Sequence, residues 1–129
     1  MKKLAVVMSV SSSATALKVM AIIKNKLGQT KRTRVMFTDN GKLTFVSGVA
    51  QKSVREVSQL DKYKACDVLI LPVYGDDTQV QPSLAEIKMY LNTALGFSIY
   101  ICAVPDKEDA DMLETAETVV DIVKSNLGI

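Results

Sequence analysis

Three short stretches of this chain carry apolar residues without alternation: residues 4–8 (LAVVM), 68–71 (VLIL) and 99–103 (IYICA). Between them lie segments that repeat apolar residues at helical spacing. A strand with one wet face alternates apolar with polar residues, so an unbroken run points to a strand buried on both faces. Strands of that kind, alternating with helices, pair in parallel through right-handed crossovers. The expected class is therefore α/β, a three-layer sandwich with a parallel sheet and helices on both faces.

The punctuation between the runs places the elements. Residues 9–13 turn the chain after the first strand, and Ala16, Met20, Ile23 and Leu27 then follow a helical stripe up to Gly28. Residues 34–38, with Val35 and Phe37 alternating, form a second strand, and Asp39-Asn40-Gly41 turns the chain into residues 42–46. Asn-Gly between two such segments is a hairpin signal, so an extra antiparallel edge strand is an open alternative here. Ser53 and Glu56 have capping-box spacing before a short helix carrying Val54, Val57 and Leu60. Asp67 opens the third strand, residues 68–72. Pro82 and the pair Ser83 and Glu86 start a helix whose inward stripe is Leu84, Ile87, Leu91 and Leu95. The fourth strand covers residues 97–104. Asp106, Glu108, Asp109 and Asp111 then lead into a last helix with Leu113, Ala116, Val120, Val123 and Leu127 inward. The expected strand order is 2-1-3-4.

A length of 129 residues suits one domain spanning 1–129 and leaves room for a sizeable core. The longest apolar runs fall far short of the roughly 20 residues a membrane helix needs, so the expectation is a cytoplasmic protein with no membrane contact. Cys66 and Cys102 lie at or in strands without basic neighbours and are expected to be reduced core thiols. The absence of histidine removes histidine-based triads, histidine phosphotransfer and histidine metal sites, and no metal site is expected. Up to Thr38 the chain carries eight cations and no carboxylate. Lys24, Lys26, Lys31, Arg32 and Arg34 cluster where the first helix hands over to the second strand, where cations suit the helix dipole. Without interleaved aromatics to stack bases, that cluster reads as solvated surface at the far end of the sheet from any pocket, and no nucleic-acid partner is expected.

In an open sheet of this kind a ligand sits beyond the carboxyl ends of the strands, where strand order reverses. Three loops then matter: residues 9–15, 73–80 and 104–109. Ser11, Ser12, Ser13, Ala14 and Thr15 join a buried strand to a helix, and their hydroxyls together with the first backbone N–H groups suit a phosphate. The same hydroxyls also serve to cap the helix, which leaves both readings open.

At this point the chain resembles flavodoxins and flavodoxin-like flavoproteins. Ser12-Ser13-Ala14-Thr15 is similar to the start of their phosphate loop, and residues 67–75 (DVLILPVYG) resemble their third strand and flavin-side loop. Pro82 and the helix with Leu84, Lys88 and Leu91 are similar to the segment after that loop in the family. The resemblance implies an FMN site formed by Ser11, Ser12, Ser13, Ala14, Thr15, Pro72, Val73, Tyr74, Gly75, Asp76, Val104 and Pro105, with Tyr74 stacking on the flavin ring and Asp76 and Asp77 making an acidic rim. The chain departs from the family where Thr15 is followed by Ala16-Leu17-Lys18 rather than by a glycine and a second hydroxyl, and the expectation is that the family's fifth strand is missing or else that the hairpin at Asn40-Gly41 supplies an edge strand differently.

Two functions are expected on these grounds. The first is a small FMN-binding electron-transport protein with a redox protein partner, in which the flavin does the chemistry and the protein orients it. The second keeps the flavodoxin-like fold, has lost the cofactor, and acts as a regulatory or interaction protein. The third-strand loop favours the first; the altered phosphate loop favours the second. Neither carries a sequence signature of oligomeric state, and whether the chain is an enzyme stays open.

Overall fold

A computed structural model describes residues 3–30, 32–46, 48–75, 79–107 and 110–129. Its elements run β1 (Leu4–Val10), α1 (Ser13–Lys26), β2 (Val35–Thr38), β3 (Gly41–Phe45), β4 (Val68–Tyr74), α2 (Leu84–Thr93), β5 (Ser98–Ala103) and α3 (Ala110–Leu127). Two short 3-10 segments, Ala50–Lys52 and Val57–Tyr63, lie between β3 and β4. The five strands form one sheet in the order β2-β3-β4-β1-β5, parallel throughout except for the β2–β3 hairpin.

The unbroken apolar runs of β1 and β4 have a direct cause in this order. Both strands are interior, paired on both sides and covered on both faces. Leu4, Val6, Met8 and Val10 face the same core as α1 and α3, with Ile23, Ala116 and Val123 among the buried neighbours. Ala5 and Val7 face a second core with Leu69, Leu71 and Val73 of β4, Ile87 and Leu91 of α2, and Leu60. The chain is thus an α/β sandwich with α1 and α3 on one face and α2 with the 3-10 segments on the other. Below the sheet, the ammonium of Lys3 donates to the carbonyls of Lys64 (2.7 Å) and Leu95 (2.9 Å) and sits 4.4 Å from the centre of the Phe97 ring.

The expected order 2-1-3-4 is corrected. The strand at 35–38 does not pair with β1; it turns through Asp39-Asn40 into β3, and it is β3 that pairs with β4. The hairpin alternative therefore holds. Val35 and Phe37 point to solvent, Phe37 with 77% of its surface exposed, which suits the sheet edge that β2 forms beyond β3. The place beside β1 is taken by β5 instead. As the other edge, β5 leaves Ile99, Tyr100, Ile101, Cys102 and Ala103 only partly covered, contrary to the expectation of a fully buried run.

Smaller corrections have similar causes. The helix expected from Ser53 is a pair of 3-10 segments, and its capping box uses Glu56 and Gln59 rather than Ser53 and Glu56. The Ser83–Glu86 box is present as expected. In α3 the inward stripe is Met112, Ala116, Val119, Val120, Val123 and Leu127, which leaves Leu113 47% exposed. Lys24 is not solvated surface: its side chain is buried, with the ammonium 5.4 Å from the centre of the Phe45 ring. Burial, and then the nearby Arg34 guanidinium, lower its pKa. No helix among the described residues is long and apolar enough to cross a membrane.

Candidate functional site

The three loops expected to form a site meet because their strands end level. In the sheet register Val10 pairs with Tyr74, and Ser9 with both Val73 and Ala103, so the chain leaves β1, β4 and β5 at the same height. After β1 the chain enters α1 on one face, and after β4 it enters α2 on the other. The crevice between β1 and β4 is thus a switch point of the kind where ligands of α/β sheets bind.

In the first loop, Ser12 is the N-cap of α1. Its Oγ accepts from the Thr15 N–H at 3.2 Å and lies 3.0 Å from Thr15 Oγ1. Ser13 Oγ lies 3.1 Å from the Tyr74 hydroxyl. Ser11 and Thr15 both donate to the carboxylate of Asp106, the Thr15 contact being 3.5 Å. Thr15 is buried, Ser12 and Ser13 are half-buried, and Ser11 and Ala14 are exposed. The hydroxyls that suit a phosphate are therefore engaged: one caps the helix, one meets a tyrosine, and two hold a carboxylate. Asp106, read from the sequence only as part of a helix start, is the group around which the first and third loops close.

Around β4 the expected site residues divide. Pro72 and Val73 lie inside the sheet and are buried, Val73 in the core on the α2 side. Tyr74 is half-buried and reaches the first loop through its hydroxyl, and Gly75 is buried. Asp76 lies outside the described residues, as do Asp77, Lys31, Glu108 and Asp109. Val104 is buried, and its N–H donates to the Ser9 carbonyl at 2.9 Å, while Pro105 is half-buried beside it. The structure thus unites Ser11, Ser12, Ser13, Thr15 and Tyr74 at one rim and keeps the side chains of Pro72, Val73 and Val104 in the interior.

A residue that sequence reasoning missed anchors this rim. Gln51 is buried, its Oε1 accepts from the Tyr74 N–H at 3.0 Å, and its Nε2 donates to the Tyr74 carbonyl at 3.1 Å. β3 ends at Phe45, opposite Ile70, so among the described residues no strand lies beside Tyr74 on the outer edge of β4. The Gln51 amide takes the place of that strand. No pattern of spacing marks it in the sequence; a lone Gln between Ala50 and Lys52 gives no hint of burial.

The thiols add no nucleophile. Burial raises the pKa of Cys66, and burial pushes that of Cys102 up to about 11, so both favour the protonated form. Among the described residues, no group of three or more His, Cys, Asp or Glu side chains comes together in a way that could hold a metal ion. No protein family model, no curated protein and no solved structure matches this chain.

Proposed function

We propose that this chain is a regulatory or interaction protein of flavodoxin-like construction that works without the flavin. The observation that carries this reading is the Asp106 carboxylate, held by the hydroxyls of Ser11 and Thr15 in the loop where the FMN phosphate would sit. A carboxylate there repels a phosphate dianion and satisfies the donors that would otherwise attract one. The absence of the family's glycine after Thr15 supports the same reading, because a side chain stands where backbone would have to approach the phosphate. What the reading takes from the resemblance is the meeting of the first loop with the β4 loop, not the strand order.

The FMN-binding electron carrier is kept as a second reading on one observation. Tyr74 is half-buried at the switch point and tied to Ser13, which is where a tyrosine stacking on a flavin would stand. A fluorescence titration with FMN and riboflavin separates the two. The expected result is no FMN binding that depends on the first loop in the parent, and a gain of FMN over riboflavin affinity in Asp106→Ala. Preference of the parent for FMN over riboflavin, lost in Thr15→Ala, would overturn the cofactor-free reading in favour of the carrier.

A further inference from the structure

The chain splits its charge along its length: up to Thr38 it has eight cations and no carboxylate, and all 14 carboxylates follow. The fold turns that split into a surface pattern. α1 carries Lys18, Lys24 and Lys26 and no carboxylate, whereas α3 carries Asp111, Glu114, Glu117 and Asp121 against Lys124 alone. The two helices pack side by side on one face of the sheet. Because both run back from parallel strands, they point the same way.

A groove on this face is lined by Leu17, Lys18, Ala21, Ile22 and Lys26 of α1 and by Leu113 of α3. Leu17 is 59% exposed and Leu113 47%. Single apolar side chains in solvent are ordinary, but two around one concavity form a patch with cations along it. Helical spacing puts Glu117 one turn from Leu113 on the same flank of α3 and Asp121 one turn further, and both are exposed, as is Glu114. Among the described residues the charged ends of Lys18, Lys26, Glu114 and Glu117 form no ion pair, so the opposite charges of the two helices do not satisfy one another within one copy.

We propose that this face joins two copies of the chain, with α1 of each copy packed on α3 of the other. The groove calls for an occupant with an apolar side chain flanked by carboxylates, and the chain itself presents that chemistry in Leu113, Glu114 and Glu117. A two-fold axis along the groove keeps helix direction and height, so each residue of α1 faces the α3 residue at its own level in the second copy. Leu113 lines the same groove as Lys18 and Lys26, so Glu114 and Glu117 lie within about one helical turn of that level. Both seams of the pair then place cations against carboxylates, and Leu17 and Leu113 lie near the axis, where apolar contacts are driest. The helices are about 21 and 27 Å long, a footprint at the small end for stable interfaces, so the dimer forms reversibly with concentration. The proposal goes beyond the cofactor-free reading and does not rest on the Asp106-closed loop; FMN binding by a dimer would overturn that reading alone.

The test is sedimentation equilibrium of the intact protein from about 10 μM to about 1 mM, the range in which a small interface dissociates. The parent is expected to pass from its 14.1 kDa monomer to twice that mass, and to do so less readily at high salt. Lys18→Glu/Lys26→Glu and Glu114→Lys/Glu117→Lys each set like charges against one another at both seams and should dimerise about tenfold or more weakly. All four positions are exposed, so circular dichroism of both variants should match the parent. Mixed in equal amounts, the two variants should associate again, because the heterodimer restores opposite charges at both seams. Leu17→Asn, which changes no charge, should also weaken the dimer. A parent that stays monomeric throughout overturns the proposal, and so does a dimer that both reversed variants retain, which would lie on another surface. Reversed variants that do not recover on mixing overturn it as well, since the charges would then act within one copy.

Discussion

The side-chain amide of Gln51 exchanges two hydrogen bonds with the backbone of Tyr74, 23 residues away, and so completes the β4 edge where β3 has stopped. Replacing Gln51 by Leu keeps the volume roughly constant but leaves the part-buried Tyr74 N–H and carbonyl without their side-chain partners, a loss of about 1–3 kcal/mol in all. Urea unfolding of Gln51→Leu should show that loss, with Tyr74-dependent ligand effects weakened alongside it. A midpoint equal to that of the parent would mean that water replaces the amide and that Gln51 does not fix the rim.

Ser12 and Ser13 are neighbours with different work, and the two substitutions should separate. Ser12→Ala removes the N-cap of α1 and should cost about 1 kcal/mol of stability. Ser13→Ala removes only the contact to the Tyr74 hydroxyl, at half-buried positions, and should cost about 0.5–1 kcal/mol. Thermal unfolding of the two variants under one buffer checks the order; a larger loss for Ser13→Ala would reverse the assignment of roles.

The thiols provide a pH test. Cys102 has its pKa raised from 9.0 to about 11 by burial, so the folded chain holds that proton more tightly than the unfolded chain does. Its contribution to stability is therefore fully present below about pH 9 and is lost as the pH rises toward about 11. Alkylation of the native protein should accordingly be slow at pH 8 and accelerate as the pH approaches about 11, whereas the denatured protein should react with an ordinary thiol profile. Rapid modification of native Cys102 at pH 8 would contradict the raised pKa that its partial burial on β5 produces.

Edge and interior of the sheet should respond in opposite ways. Phe37, exposed on β2, can be changed to Thr with a stability change within about 0.5 kcal/mol and a gain in solubility. Leu43, fully buried two strands' breadth from β1, should cost about 2–5 kcal/mol as Leu43→Ala. Chemical denaturation of the pair measures both, and similar losses for the two would mean that β2 is covered in solution.

What the sequence by itself determined are the features that local chemistry encodes. The runs at 4–8 and 68–71 are apolar on both faces because their strands are interior, and Ser12, Ser83 and Glu86 mark helix starts through bonds to residues three positions away. The adjacency of β1 and β4, and hence the meeting of the Ser-rich loop with Tyr74, was legible for the same reason. Tertiary structure alone decided the strand order, because backbone hydrogen bonds between strands are indifferent to side-chain identity and either edge of β1 accepts any parallel partner. It also decided the site: Asp106 meets Ser11 across 95 positions, and Gln51 meets Tyr74 where another strand happens to end. Such contacts leave no period in the sequence, since their partners are fixed by where the sheet brings the chain and not by spacing along it.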